Sequence, residues 1–291
     1  MKYITFLLLF FLCRPALSAD TILAPELGGV KNITFHDPQP AIKVATYNIA
    51  AARVGSVEEL TKAIAKIDAD VIALQEVDKF TERSGKVDQL ARIAGKLKMK
   101  YSFGKAIDFQ GGEYGVGILT KFPILKKQVF ELPSGNGEQR VLLAVEVKPE
   151  GFTSPIVIFS THLDWKEDPQ TRIEQIREIQ NITIGNTESV IEDMPSKIKI
   201  LAGDFNDTSN SRVLNELQRY WDMVTLENQD MRTWPAINPA LDIDHIFTFK
   251  GQKWSVNQIN IPNQSQQVNS INWPKTSDHI PVLVSIRLNE Q

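Results

Sequence analysis

Cysteine is almost missing from these 291 residues, and the single one is Cys13. It lies in "MKYITFLLLFFLCRPALSAD", where Lys2 precedes an apolar run from Ile4 to Leu12, and small residues follow at Ala16, Ser18 and Ala19. Charge, short apolar run and small residues in that order predict a cleavable secretory signal over residues 1–19. The run is too short to span a bilayer. The bulky Phe11 and Leu12 ahead of Cys13 argue against lipid attachment. The mature chain then has no disulfide, thiol nucleophile or thiolate zinc site, and packing alone must stabilise it in an oxidising compartment. A secreted or periplasmic location is the expectation.

A surplus of one charge is missing too. The formal charge is −3, and it becomes −5 when Lys2 and Arg14 leave with the leader. Affinity for polyanions comes mainly from Lys and Arg, so strong non-specific binding of nucleic acid is excluded, though not local basic patches. There are no repeats or low-complexity segments. With 42% hydrophobic and 23% charged residues, the composition is that of an ordinary globular protein.

Residues 20–41 carry Pro25, Gly28, Gly29, Pro38 and Pro40 and read as an irregular lead-in. From 42 to 291 no linker interrupts the pattern, which predicts one α/β domain with more strands than helices. "AIKVATYNIA", "DVIALQEV", "YGVGILTKFPIL", "RVLLAVEV", "PIVIFSTHL", "KIKILAGDFND", "DIDHIFTF" and "SDHIPVLVSIRL" read as strands. Ser56 with Glu59 forms a capping-box signature ahead of a helix. Further helices are expected at Val87–Leu97, after Pro169 and near Ser211–Leu217.

The apolar runs stop at a recurring set of polar residues: Asn48, Glu76, His162, Asp204 with Asn206, and Asp244, while Asp278 and His279 precede the last run. Asp and Asn also serve turns and caps, which accounts for any one of them alone. Glu76 fits that reading least, because glutamate is a poor turn residue and a carboxylate so close after "VIAL", with only Gln75 between, needs a cation beside it. An oxygen-rich site without cysteine suits Mg²⁺, Mn²⁺ or Ca²⁺ and not zinc. Strand alternation points His245 away from Asp244. His36 has no assigned role. Carboxylates, histidines and a hard cation together are suited to cleaving a phosphate ester, where negative charge develops on oxygen and water must be oriented or deprotonated.

The ordered motifs "TYNI", "LQEV", "YGVGILTK", "EQRVLLAVEV", "STHLD", "LAGDFND", "DIDHIF" and "SDHIPV" resemble those of the endonuclease/exonuclease/phosphatase superfamily, to which pancreatic-type deoxyribonuclease belongs. The resemblance implies a four-layered α/β sandwich, two stacked mixed β-sheets flanked by helices, with the active site at one edge. It implies that Glu76, Asn48 and Asp278 hold the metal, Mg²⁺ foremost. Asp204 looks like the water-orienting base, assisted by Asn206, and His279 like the active-site histidine paired to Asp244. His162 looks like a second catalytic histidine, and Arg140, Asn206 and His162 like contacts to the substrate phosphate. Arg83 and Tyr114 are expected to shape the pocket. Val116 stands where small stand-alone members often carry asparagine.

Three functions compete. The first is a secreted Mg²⁺-dependent phosphodiesterase or nuclease. The second keeps the chemistry and takes a phospholipid or another phosphorylated small molecule. The third is an inactive binding protein on the same scaffold. A nuclease should show free basic residues beside the site, with Lys79, Arg83, Lys86, Lys121 and Lys166 as candidates; a lipid enzyme should show an exposed apolar hairpin. A monomer without a stable protein partner is expected.

Overall fold

The computed structural model describes residues 39–262 and 271–290. The expected signal over 1–19 and nearly all of the 20–41 lead-in lie outside them. The chain divides into two units, residues 1–37 and 38–291, and only the second contains described residues.

Twelve strands alternate with four α-helices among the described residues. The strands are β1 (Ala41–Asn48), β2 (Val71–Lys79), β3 (Lys100–Phe109), β4 (Gly112–Thr120), β5 (Ile124–Leu132) and β6 (Arg140–Val147). They continue as β7 (Ile156–His162), β8 (Ile198–Asp204), β9 (Trp221–Met223), β10 (Asp244–Phe249), β11 (Lys253–Asn260) and β12 (Val282–Glu290). The helices are α1 (Val57–Ile67), α2 (Gln89–Leu97), α3 (Gln170–Thr183) and α4 (Arg212–Leu217).

The strands form two six-stranded sheets, ordered β11-β12-β1-β2-β4-β3 and β5-β6-β7-β8-β10-β9. Both are mixed, because β1 pairs parallel with β2 and β7 parallel with β8, while their other pairings are antiparallel. Each parallel pair is joined through a helix, α1 in one sheet and α3 in the other, as a parallel crossover requires. Three apolar clusters follow. One lies between the sheets and includes Val44, Ile118, Leu143, Ile200 and Val284. A second seats α3 and α4 on the β5–β9 sheet through Ile173, Ile176, Ile179 and Leu214. The third seats α1 and α2 on the other sheet through Leu60, Ile64, Leu90 and Ile93. The four-layered sandwich expected from the motifs is therefore present.

Strands buried on both faces explain the continuous apolar runs in the sequence. β3, β5 and β11 were not legible as strands because exposed polar residues break their pattern; β5 reads "ILKKQVFEL" with a nearly alternating burial. The capping box at Ser56 forms as expected, with Ser56 Oγ accepting from Glu59 N at 3.1 Å and Glu59 Oε2 from Ser56 N at 2.9 Å. Ser211 caps the short α4 in the same way, accepting from Leu214 N at 3.1 Å. Since α4 buries Val213, Leu214 and Leu217, Ser211→Ala should cost about 1 kcal/mol, read as a lower urea midpoint with an unchanged denaturant slope.

Candidate active site

The register of the two sheets brings the polar strand ends together. In one sheet Asn48 pairs with Gln75 across the parallel β1–β2 ladder. In the other, His162 pairs with Asp204 across β7–β8, and Asp244 with Asp204 across β8–β10. β2 carries a bulge, in which Gln75 and Glu76 together oppose the single residue Val116 between the Leu74–Gly117 and Val77–Gly115 pairs. Glu76 sits there at φ 52°, so the bulge re-aims a side chain that plain alternation would have left on the strand face. Gly203 precedes Asp204, and a Cβ at that position would come within 2.3 Å of the Thr161 carbonyl oxygen. Only glycine lets β7 and β8 approach this closely beside the site.

Asp204 stands at the centre and is 1% exposed. Its Oδ2 accepts from Asn48 Nδ2 at 2.9 Å and lies 3.6 Å from His162 Nε2 and 3.7 Å from His279 Nε2. Its Oδ1 accepts from the backbone of Asn206 at 2.9 Å. Burial, and then the nearby Asp244 carboxylate, push its pKa up to about 7.

His279 Nδ1 lies 2.8 Å from Asp244 Oδ2, an oxygen that also accepts from Thr233 Oγ1 at 2.6 Å. Burial works against charging this ring. The carboxylates of Asp244, Asp204 and Asp278 outweigh it and push the pKa up to about 10. His162 is the opposite case, because burial and then Arg140 hold it well below the ordinary histidine value, so it is neutral. Arg140 is 4% exposed, and its guanidinium reaches Glu138 at 3.2 Å. Asn206, at φ 50°, donates from Nδ2 to the Leu163 carbonyl at 3.0 Å, which holds the β8 loop against the β7 loop. His245 points away as alternation requires, packing on Phe205 with Nε2 at 3.1 Å from the Asp207 carbonyl.

These groups line one cavity of about 580 Å³ together with Arg53, Glu76, Arg83, Tyr114, Trp165, Trp234 and Asp278. Of the expected site residues, Glu76, Arg140, His162, Asp204, Asn206, Asp278 and His279 line it directly. Asn48 and Asp244 support it from behind through hydrogen bonds to Asp204 and His279. Asn48 directs its NH₂ at Glu76 Oε1 (3.2 Å) and Asp204, while its Oδ1 accepts from Ala50 N. In this geometry it bridges two carboxylates, and its oxygen is already engaged. Val116 is 3% exposed and lies in the core between the sheets.

Some participants had no signal in the sequence. Arg53 ion-pairs with Glu76 Oε2 at 2.9 Å, from a turn in which Ala50, Ala51 and Ala52 all have positive φ. Ser277 donates to the Asn48 carbonyl at 2.6 Å and so ties the "SDH" segment to the end of β1. Thr233 fixes Asp244. Each depends on a contact between segments distant in sequence, which no local pattern reveals.

The donor set suits a hard divalent cation. Glu76, Asp204 and Asp278 line one cavity, where burial and then the Asp244 carboxylate raise Asp204. Among the described residues, Asp204, Asp244 and His279 form the group whose donor atoms all lie within 4.8 Å of one another, and Asp244 Oδ1 is buried without a partner. In that trio, however, His279 Nδ1 and Asp244 Oδ2 are already committed to each other.

Residues 45–279 match the Endonuclease/Exonuclease/phosphatase family. The chain belongs to that family. The Escherichia coli (strain K12) protein YbhP, itself uncharacterized, is 22% identical over 267 residues, covering 86% of this chain and 98% of its own. Among solved structures, the human Nocturnin catalytic domain with bound sulfate aligns at a TM-score of 0.62 and 19% identity, over 86% of this chain and 94% of that one. Mannosyl-6-phosphatase Bt3783 of Bacteroides thetaiotaomicron VPI-5482 aligns at 0.63 and 19%, over 84% and 99%. At such identities the structural likeness establishes a shared Endonuclease/Exonuclease/phosphatase fold, and the chain is a hydrolase by family.

Proposed function

We propose that this chain is a metal-assisted hydrolase of phosphate esters. The observation that carries this reading is the buried Asp204 carboxylate, with a charged His279 and a neutral His162 within 4 Å of it, on the floor of a cavity that Arg140 also lines. Asp204, with a pKa near neutrality, takes a proton from water as the oxygen attacks phosphorus. The ester P–O bond breaks, and the imidazolium of His279, oriented by Asp244, stabilises or protonates the departing oxygen. Neutral His162, Asn206 and Arg140 bind the phosphate oxygens. Glu76 and Asp278 are the residues that would hold the cation, Mg²⁺ foremost and Mn²⁺ or Ca²⁺ as alternatives. When bound, it supplies Lewis-acid polarisation of the phosphate.

Three of the five basic residues that a nuclease could use are committed to ion pairs, and Lys86 and Lys166 are not among them. Lys79 pairs with Glu113 at 2.7 Å, Arg83 with Asp78 at 2.7 Å, and Lys121 with Asp68 and Asp70. Lys121 also follows the end of β4 opposite to the one facing Glu76. A compact phosphate ester is therefore favoured over a polymer, whose binding would need free cations along its track. A phospholipid head group is the second reading. Trp234 and Leu241 line the cavity and close the loop "WPAINPAL" by backbone pairing, and Trp165 and Ile237 are 68% and 61% exposed. The leader-like first 19 residues support export, which N-terminal sequencing of the protein from its host would test.

The deciding experiment is hydrolysis by the purified protein in Mg²⁺, Mn²⁺ or EDTA. The substrates are p-nitrophenyl phosphate, bis-p-nitrophenyl phosphate, a sugar phosphate, plasmid DNA, RNA, and sphingomyelin or phosphoinositide vesicles. Metal-dependent turnover of small esters is expected, with Glu76→Gln losing about 10- to 100-fold in metal affinity or activity. Turnover in EDTA equal to that in Mg²⁺ would overturn the metal assignment. If Asp244→Asn weakens Mn²⁺ binding and Glu76→Gln does not, the cation belongs to the Asp204–Asp244–His279 group.

A further inference from the structure

Two donors at the cavity have no protein partner among the described residues: one is a buried atom, and the other, the Tyr114 hydroxyl, is not. Arg140 Nε is buried without a hydrogen bond. Tyr114 is 8% exposed, lines the same cavity, and its hydroxyl meets no acceptor among the described residues. Buried polar groups are nearly always satisfied, so the unpartnered Arg140 Nε calls for an explanation. Packing on Phe109 accounts for the Tyr114 ring but not for a hydroxyl left unpaired beside the same cavity. The electrostatic neighbours of the phenol are Glu76, Arg140, Glu138 and Arg83, so the proposed metal-binding carboxylate and the phosphate-binding arginine are both among them.

The backbone delivers Tyr114 by the device that delivers Glu76. In β4 it pairs with Asp78 of β2 and with Ile107 of β3. A bulge in β3 leaves Ala106 extra between the Lys105–Gly115 and Ile107–Tyr114 pairs, one step from the β2 bulge at Gln75–Glu76. Irregularities on both flanking strands thus turn the start of β4 toward the site. Gly115 permits it, since a Cβ there would come within 2.0 Å of the Gly104 carbonyl oxygen.

The ring is also held still. Arg83 lies 5.3 Å from the Tyr114 ring centroid and 4.4 Å from that of Phe109, and Phe109 packs on Tyr114 at 6.4 Å. Asp78 clamps the Arg83 guanidinium through two hydrogen bonds, at 2.7 and 2.9 Å. The clamp neutralises the buried Asp78 and at the same time fixes the cation against which the Tyr114 ring packs. It also serves a donor whose direction matters, because little is then lost in ordering the hydroxyl when an acceptor arrives. Burial and the nearby Glu76 raise the phenol well above its usual range, so it remains a hydrogen-bond donor across the working pH.

We infer that Tyr114 is a substrate-binding residue whose hydroxyl donates to a non-bridging phosphate oxygen, beside the same phosphate's contact with Arg140 Nε. This rests on the phosphate-ester reading above. The anion bound is a terminal or bridging phosphate of a small ester, with inorganic phosphate as its minimal form.

The test is Tyr114→Phe, which keeps the ring, its packing on Phe109 and the Arg83 contact, and removes one oxygen. With the best substrate of the panel, kcat/KM should fall about 10- to 100-fold. The inhibition constant of inorganic phosphate should weaken about 5- to 50-fold, and the pH profile should keep its shape. Tyr114→Phe with Arg140→Lys should lose less than the product of the single losses, because both donors grip one group. Unchanged phosphate inhibition in Tyr114→Phe, with Asp204→Asn inactive, would overturn this inference and leave the hydrolase reading standing. If the wild type turns over no ester, calorimetry with inorganic phosphate on wild type and Tyr114→Phe still decides. Weaker binding by the variant supports the assignment, whereas equal binding, or none by the wild type, overturns it. A melting temperature within about 2 °C of wild type shows that the variant is folded.

Discussion

Asp204→Asn is expected to lower phosphate-ester hydrolysis by about a thousandfold or more, within the 10²- to 10⁴-fold range of a lost general base, without unfolding the protein. The amide keeps the carboxylate's shape but has a single acceptor oxygen, so it can accept from the Asn206 backbone or from Asn48 Nδ2 and not from both, and it cannot take a proton from water. Its stability relative to wild type should change with pH. The folded-state pKa of Asp204 is raised to about 7 from 3.8. The folded state therefore holds this proton more tightly than the unfolded chain does. The stability linked to it is complete below about pH 4 and is lost as pH rises through about 7. Asparagine does not titrate and its lost hydrogen bond is a pH-independent offset, so in EDTA the melting temperature of the variant relative to wild type should rise from pH 4 to pH 8. A difference that stays constant over that range would count against the raised pKa of the buried carboxylate. An active variant would end its assignment as the base.

Asp244→Asn should cost about 10²- to 10⁴-fold and reshape the pH profile. Asp244 is the strongest of the three carboxylates that keep His279 charged, through the contact at 2.8 Å. In the wild type, activity should rise as Asp204 ionises near pH 7 and fall as His279 deprotonates near pH 10. The stability linked to His279 has the matching sign: it is fully present below its unfolded value of 6.5 and disappears as pH rises through about 10. Without the Asp244 charge, burial dominates and the imidazolium loses its proton at lower pH. The alkaline limb should then move toward neutrality and the window of activity narrow from above. Rate profiles from pH 5 to 11 would show it. An alkaline limb left in place, with activity reduced, would mean that Asp244 acts only through structure.

The histidines show what could and could not be read in advance. His245 could be set aside by alternation alone, since it neighbours Asp244 on a strand, and the structure packs it on Phe205 and Phe247. His162 and His279 could be picked out by their place at strand ends. That one is neutral and the other charged could not, because the difference comes from Arg140 beside the first and Asp244 beside the second, contacts that span 22 and 35 positions. Glu76 stood out because glutamate makes a poor turn after four apolar residues. The bulge that turns it, and the Arg53 that meets it, depend on how β2 pairs with β4 and on the alanine turn after β1. Asn48, expected as a metal ligand, lies beside the site and bridges Glu76 and Asp204 through its NH₂. The direction of its amide was set by Ala50 N, a local hydrogen bond that residue identity alone does not specify.

By itself the sequence determined most of the strands, the helix starts at Ser56 and Ser211 and which polar residues end the apolar runs, while the four layers were implied by its resemblance to the family. Apolar periodicity, capping residues and the identity of strand-end residues are local properties of the chain, written at each position without reference to partners. The tertiary structure alone decided which polar groups meet, which are charged, and which are left without a partner. Asp204 has its raised pKa because β8 lies between β7 and β10, which packs it beside Asp244 and out of water. Tyr114 meets the cavity without a protein partner for its hydroxyl for the same reason, since exposure and hydrogen bonding are properties of an assembled cavity and no single stretch of sequence contains them.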